Sequence, residues 1–315
     1  NKRFKPSAAH LEEIEFYFFA NTDDALAALT TREVDGVGFI PPENVVSVDQ
    51  RTTPILALDL PEYRAVFFNV MSSSTISDRS VRQALAHATD KQAIIRETAG
   101  GYAAIASGPI LPGLLGYNPL GTKYAEDLAE AAKILDLAGW KLSAGASIRA
   151  KTVTVKEGKK TSETELPLAL TITVIDKPSF VKTAELLKAQ WSRIGAEISI
   201  RAVASEVIQK DVLRGRSFEV LIYNETLGAD PDPFIFWHSS GSDESGLNLP
   251  RYANREVDAL LSEARKTIDP EKRAALYRDF QIPLMNDLPV IFLMSPKYLY
   301  AVSSKILGIN TVRLS

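Results

Sequence analysis

Leu170, Ile172 and Val174 alternate with Thr171 and Thr173, which is the pattern of a half-buried strand. A helical stripe of Phe180, Ala184, Leu187, Trp191 and Ile194 follows, Gly195 stops it, and Ile198, Ile200 and Ala202 mark a returning strand. A strand–helix–strand unit of this kind crosses over right-handed within one sheet. A smaller unit stands near the start: a strand over Glu13 to Phe19, a helix over Asp23 to Thr31 capped by Thr22 or Asp23, and a strand over Asp35 to Ile40 ended by Pro41-Pro42. Two such units place the chain among α/β folds.

The stretch between them changes character. Ile55 to Leu60 and Arg64 to Val70 are strand candidates. Ser77-Asp78 then opens a helix with Val81, Ala84, Leu85 and Ala88 on one face, and Asp90 caps a second helix that Gly100-Gly101 stops. Residues 106 to 121 are rich in Gly and Pro and predict a long loop, and Glu126 to Ala138 returns to helix. Ser143 to Glu165 is polar and Thr/Lys-rich and predicts a hairpin or loose loop, with Lys156 to Lys160 as a solvated basic run. Late in the chain, Val257, Leu260, Leu261, Ala264 and Ile268 form a stripe. Asp269-Pro270 then starts a helix with Tyr277, Phe280 and Leu284 inward, which Pro283 should kink or end, and Pro289 to Leu293 is a last strand. This order suggests two lobes, the chain leaving the first near Asn69 and returning near Pro289.

The run Gly228 to Asn248 stands out chemically. Asp230, Pro231, Asp232 and Pro233 follow the strand-like Phe218 to Tyr223. Phe234, Phe236, Trp237 and His238 come next, then a Ser/Gly segment, then Asn248. An acidic, proline-stiffened turn at a strand end that leads into aromatics has the make-up of a ligand loop in an α/β protein. The same residues equally fit a surface turn followed by a short helix packed by its aromatics.

Composition narrows the function classes. The net charge of -3 and pI of about 5.8 argue against a nucleic-acid partner. With no cysteine, a thiol nucleophile, a Cys-ligated metal and a disulfide framework are excluded. The histidines are His10, His87 and His238, and only His238 lies near the loop, so no His-based metal site is expected. No G-x-S-x-G, Walker A or H-E-x-x-H pattern occurs. Asp230 and Asp232 would have to act as a glycosidase-like pair for a hydrolase, but neighbouring turn aspartates rarely face one another at the required separation. No apolar run approaches the roughly 20 residues that span a bilayer. The opening Asn1-Lys-Arg-Phe-Lys-Pro is not a natural initiation sequence and reads as a mature or trimmed chain.

Several segments in order carry a family likeness. Ala65-Val-Phe-Phe-Asn69 runs into Asp78-Arg-Ser-Val-Arg-Gln-Ala-Leu-Ala-His-Ala-Thr-Asp-Lys91. Ala131 to Trp140, Gln190 to Ile198, Ala229 to Pro233, Tyr252 to Asp258 and Asp287 to Leu293 follow. Together they resemble the peptide/nickel family of solute-binding proteins of bacterial ABC transporters, the family 5 or cluster C type, over its C-terminal three-fifths.

The resemblance implies an α/β, periplasmic-binding-protein-like (type II) fold, with one nearly complete lobe and part of a second. Residues 1–68 and 289–315 would belong to the first lobe and 69–288 to the second. The hinge would comprise Phe68, Asn69, Asp287 and Leu288. It implies an extracytoplasmic protein, in a periplasm or as a surface lipoprotein. Such a protein is expected to be a monomer without cofactor or catalysis, capturing a peptide between lobes and passing it to the permease subunits. An oligosaccharide or a chelated metal such as nickel is the alternative ligand. Expected contacts are Asn224, Glu225, Asp230, Phe234, Trp237, His238 and Asn248. In the family's peptide binders an aspartate three residues before the Asp-Pro pair receives the ligand's ammonium. Here that position falls at Leu227, which leaves Glu225 as a nearby substitute. Arg82 is expected in a structural salt bridge.

Overall fold

The computed structural model describes residues 13–119, 124–157, 160–228, 230–306 and 309. His10, Lys159 and Ala229 lie outside the described residues. The chain forms two compact units, one from the residues up to Leu58 and again from Tyr298, the other from Asp59–Lys297.

In the first unit, helix α1 (Thr22–Thr31) buries Ala25, Leu26, Ala28 and Leu29. Its cap is Asn21, one residue earlier than expected, whose side chain accepts the Asp24 N–H. The strand expected over Asp35–Ile40 shrinks to β1 (Gly36–Val37), paired antiparallel with Ala301 and Val302. Gly36 and Gly38 lie flush against the rings of Tyr300 and Tyr298, where a Cβ would collide, and Phe39 turns the chain with φ 55. The strand expected at Glu13–Phe19 does not form. Ile14, Phe16 and Phe18 stand 65%, 79% and 94% exposed, and no strand among the described residues pairs with them. An alternating pattern becomes a strand only where a neighbour takes its backbone bonds. Strand β2 (Ile55–Asp59) follows.

The second unit starts with β3 (Glu62–Phe68), almost wholly buried. Short helices α2 (Ser74–Ser77), α3 (Arg79–His87) and α4 (Lys91–Ala99) come next. Ser73, Asp78 and Asp90 side chains cap them in turn, and Gly100 ends the third in the left-handed region. Strand β4 (Ala103–Ile105) precedes the Gly/Pro-rich loop. Helix α5 (Leu128–Leu137) is capped by Asp127 and buries Ala131 and Leu135. The polar stretch is the hairpin β5 (Ala150–Glu157) and β6 (Lys160–Pro167). Strand β7 (Ala169–Ile175), helix α6 (Pro178–Ser192) and strand β8 (Glu197–Val203) form the expected crossover, β7 and β8 pairing in parallel.

Helix α7 (Ser205–Val207) and a π-helical turn (Ile208–Leu213) lead to β9 (Val220–Thr226), which starts two residues later than expected and runs three further. Helices α8 (Phe234–Trp237), α9 (Arg255–Lys266) and α10 (Pro270–Asp287) precede β10 (Val290–Val302). Strand order in this unit is β10–β3–β9–β7–β8, with β4 also on β10; β2 pairs with β10 as well. β9 is parallel to β7 and antiparallel to β3.

Two details depart from the sequence pattern. Ile268 stands 94% exposed just past α9, because Thr267 has already left the helix. Pro283 lies inside α10 without ending it: Phe280, Gln281, Leu284 and Met285 are buried on both sides of it, and that packing outweighs one lost backbone bond.

Among the described residues no carboxylate lies within ion-pair distance of Arg82, contrary to the expected salt bridge. Its buried guanidinium donates to Ile76 O at 2.8 Å, Ser77 O at 2.9 Å, Leu288 O at 3.0 Å and Asp287 O at 2.6 Å. These carbonyls close α2 and α10, where helix ends leave acceptors unpaired and favour a cation. Burial pushes the group down to about 10, which leaves it charged at neutral pH. Arg82→Ala should therefore lower the unfolding free energy by about 3 kcal/mol or more, since each buried acceptor left unpaired costs roughly 1–3 kcal/mol. Arg82→Lys should recover little of it, because an ammonium lacks the planar fork. Urea unfolding midpoints check both, and an unchanged midpoint in Arg82→Ala would contradict the clamp.

Candidate functional site

Because β7 and β9 are parallel, their carboxyl ends share one end of the sheet, and antiparallel β3 begins there. Ligands of open α/β sheets bind outside such strand ends. A polar array occupies this end. Asn224 Nδ2 donates to Glu62 Oε1 at 2.6 Å and Thr226 Oγ1 to Glu62 Oε2 at 3.2 Å. Arg64 Nε donates to Asn224 Oδ1 at 3.0 Å. The Arg64 guanidinium then reaches the first turn of α6, donating to Ser179 O at 3.3 Å and to Thr183 Oγ1 at 3.4 Å. It lies 3.9 Å over the Phe180 ring. Burial pushes Arg64 down to about 10, partly offset by the Glu62 charge. Sequence reasoning found Asn224 but missed Arg64 and Glu62. Their signal was a charge pair two residues apart, on the same face of a strand that is otherwise apolar.

Glu225, next in the strand, faces the other side. It is 6% exposed and sits directly across the ladder from Tyr63. Burial pushes its carboxyl up to about 8, and the nearby Tyr63 hydroxyl pulls the value only partly back. Among the described residues neither Glu225 Oε1 nor Tyr63 Oη has a partner at hydrogen-bonding geometry. The Tyr63 ring packs edge-on against Phe292 at 5.0 Å, and Trp237 meets Phe292 at 5.9 Å. Trp237 is fully buried, its Nε1 without a partner among the described residues.

The acidic turn is braced by two helices. Asp232 forms an ion pair with Arg265 of α9 and accepts the Phe234 N–H at 3.3 Å, while Asp230 pairs with Arg273 of α10 at 3.5 Å. Phe234 stacks on His238 at 4.1 Å, and the Arg265 guanidinium lies 3.8 Å over the same ring. His238 Nδ1 is 2.8 Å from Ser240 Oγ, and Nε2 is 3.3 Å from Ser262 Oγ. Asn248 is buried and staples the loop: Nδ2 donates to His238 O and Tyr252 O, and Oδ1 accepts the Tyr252 N–H. Leu227 is buried, and its N–H donates to Pro61 O at 2.6 Å. Among the described residues no group of three His, Cys, Asp or Glu could hold a metal ion, and no helix is long and apolar enough to cross a membrane.

The residues expected at a hinge are tied to their surroundings. Phe68 N–H donates to Pro289 O at 3.0 Å. Asn69 Nδ2 donates to Arg216 O and Phe218 O, each at 3.0 Å. Asp287 Oδ2 accepts from Tyr252 at 2.8 Å and Asn254 at 2.9 Å, and Leu288 is left-handed with φ 50.

Residues 1–246 match the family model of bacterial extracellular solute-binding proteins, family 5 Middle. Protein XP55 of Streptomyces lividans is 30% identical over 307 residues, covering 94% of this chain and 52% of that protein. The dipeptide-binding protein of Escherichia coli (strain K12) is 24% identical over 286 residues, covering 89% and 50%. The chain thus spans about half the length of the curated relatives it matches. Among solved structures, the oligopeptide-binding protein AppA from Bacillus subtilis in complex with a nonapeptide superposes with a TM-score of 0.75 at 22% identity, over 92% of this chain and 56% of that one. At that identity the likeness shows the fold, which is the periplasmic-binding-protein-like α/β fold that the resemblance implied.

Glu225 carries a pH signature. An unfolded Glu releases its proton near 4.3, whereas the folded carboxyl holds it to about 8. The folded state therefore binds the extra proton between those values, and stability falls as pH rises through them. Glu225→Gln mimics the protonated form. The wild-type unfolding temperature should drop relative to Glu225→Gln between pH 5 and 8, by an amount equivalent to a few kcal/mol. Thermal unfolding of both across that range checks it, and parallel curves would contradict it.

Proposed function

The chain belongs to the family 5 bacterial extracellular solute-binding proteins, and on that footing we propose that it serves an ABC importer by capturing a peptide and presenting it to the permease. The observation that carries this reading is the site at the carboxyl ends of β7 and β9: a polar array of Glu62, Arg64 and Asn224 beside a braced aromatic loop. Capture in such a protein is reversible, and a ligand shifts it toward a closed form only by binding that form better. We place the protein outside the cytoplasm, in a periplasm or as a surface lipoprotein, and assign it no turnover.

Within this reading the ligand meets Asn224, Asp230, Phe234 and His238 at the sheet end, with Arg64 behind Asn224. Glu225, Trp237 and Asn248 shape the loop from beneath. Segments 68–69 and 287–288 are the lobe crossings, the second held by Arg82 through the Asp287 and Leu288 carbonyls. A neutral, buried Glu225 and an apolar Leu227 offer a ligand ammonium no charge partner here, and a desolvated cation without one is costly.

Thermal-shift screening against mixed peptides, oligosaccharides and nickel chelates tests the class. A ligand at about 100 times its dissociation constant adds about 2.7 kcal/mol, a rise of several degrees. A shift with peptides alone is expected. A shift only with sugars or chelates would replace the peptide with those solutes. The missing ammonium partner gives a second outcome: free and N-acetylated forms of one peptide should bind within about threefold. Loss of a buried charge pair would instead cost about 2–5 kcal/mol, at least tenfold in affinity.

A further inference from the structure

The Gly/Pro-rich loop after β4 lies along helix α10, and the two together shape a groove that the sheet end does not use. Gly116 sits in the left-handed region with φ 79, and a Cβ there would stand 2.4 Å from the Tyr277 Cβ. Its carbonyl accepts from Gln281 Nε2 at 2.9 Å, and Asn118 Nδ2 donates to Arg278 O at 3.4 Å. The loop is thus strapped to α10 on both sides of Tyr117, which fixes Leu115 as one wall of the groove.

Leu115, Pro270, Glu271, Ala274 and Arg278 line a cavity of about 320 Å³ that opens to solvent. This is the lower end of the range for small-ligand sites, roughly 300–1,000 Å³. Its floor is apolar: Leu115 is half-buried and Ala274 is buried. Its charged residues, Glu271 and Arg278, are both exposed and both on α10. Their spacing is nearly two helical turns, which puts them on one face with a rise of about 10.5 Å between them. Among the described residues neither has an ion-pair partner. The neighbouring Arg265 and Arg273 are taken by Asp232 and Asp230, and Asp269 is occupied by the Glu271 and Lys272 N–H groups that it caps.

An apolar floor between an unpaired carboxylate and an unpaired guanidinium complements a molecule that is apolar in the middle and oppositely charged at its ends. We propose that this groove binds a short zwitterionic peptide of two or three residues, its ammonium at Glu271 and its terminal carboxylate at Arg278. An extended peptide spans about 3.3–3.6 Å per residue, so a chain of that length covers the distance that remains once both side chains reach inward. The guanidinium fork matches the two carboxylate oxygens. The groove shares no residue with the sheet-end site, so its peptide is separate from the one proposed there.

The test is an amide NMR titration of the whole chain with trialanine. Saturable shifts are expected at residues 114–117 and 271–278, with a dissociation constant on the order of 1 mM, since exposed ion pairs contribute little each. N-acetylation and C-amidation of the peptide should each weaken binding about threefold to fivefold, the upper range for an exposed ion pair. Glu271→Gln should erase the effect of N-acetylation and keep that of C-amidation, and Arg278→Gln should do the reverse. Both side chains are exposed, so neither variant disturbs the fold. Shifts confined to Asn224, Phe234 and their neighbours would assign the peptide to the sheet end and overturn the proposal. Equal binding of doubly blocked trialanine in the groove, or no shift there at all, overturns it as well.

Discussion

Four carbonyls converge on the guanidinium of Arg82, and much of the second unit is assembled around that point. Two of them end α2 and two end α10, so one side chain satisfies a helix end close to it and another 205 and 206 residues further along the chain. The consequences spread outward. Asp287, fixed through its carbonyl, uses its carboxylate to hold Tyr252 and the cap residue of α9, Asn254. Leu288 then turns left-handed into β10, whose first residues pair with the end of β3. A charged group buried so deeply is tolerable because its donors meet oxygens in a fork that only arginine supplies.

The ladder between β3 and β9 is the second organising constraint. Successive residues of a strand face opposite ways. Asn224 thus joins Arg64 and Glu62 on the side of α6, while Glu225 turns toward Tyr63, Phe292 and Trp237. Two neighbouring polar residues that look equivalent as ligand contacts acquire unlike chemistry: one is a relay between a cation and a carboxylate, the other a carboxyl kept protonated at neutral pH by burial.

The loop after β9 shows the same economy. Asp230 and Asp232 are drawn toward α10 and α9 by Arg273 and Arg265, and the Arg265 guanidinium also covers Phe234. The aspartates brace the turn and are not poised for acid–base chemistry on a bound molecule. That suits a family whose members bind solutes and release them unchanged.

Much was legible in sequence. The period-2 and helical stripes of residues 170–202, the caps Asp78, Asp90 and Asp269, the stop at Gly100, and the ordered motifs that carry the family are local signals, read through a few neighbouring residues. Trp237 and Asn248 read as ligand groups because aromatic and amide side chains after a turn carry no mark of their depth. Only the folded chain packs one against Phe292 and closes a loop with the other. The strand expected at Glu13–Phe19 failed for a related reason: its pattern was right, but pairing requires a partner that local sequence cannot name. Arg64 was likewise an ordinary surface-type residue in the sequence, and the carbonyl partners of Arg82 lie too far along the chain to be read locally. Local periodicity and capping thus determined which segments become helices and strands. Burial and long-range pairing, set by segments far apart in the chain, decided which polar groups are satisfied, which are neutralised and which are left wanting a partner.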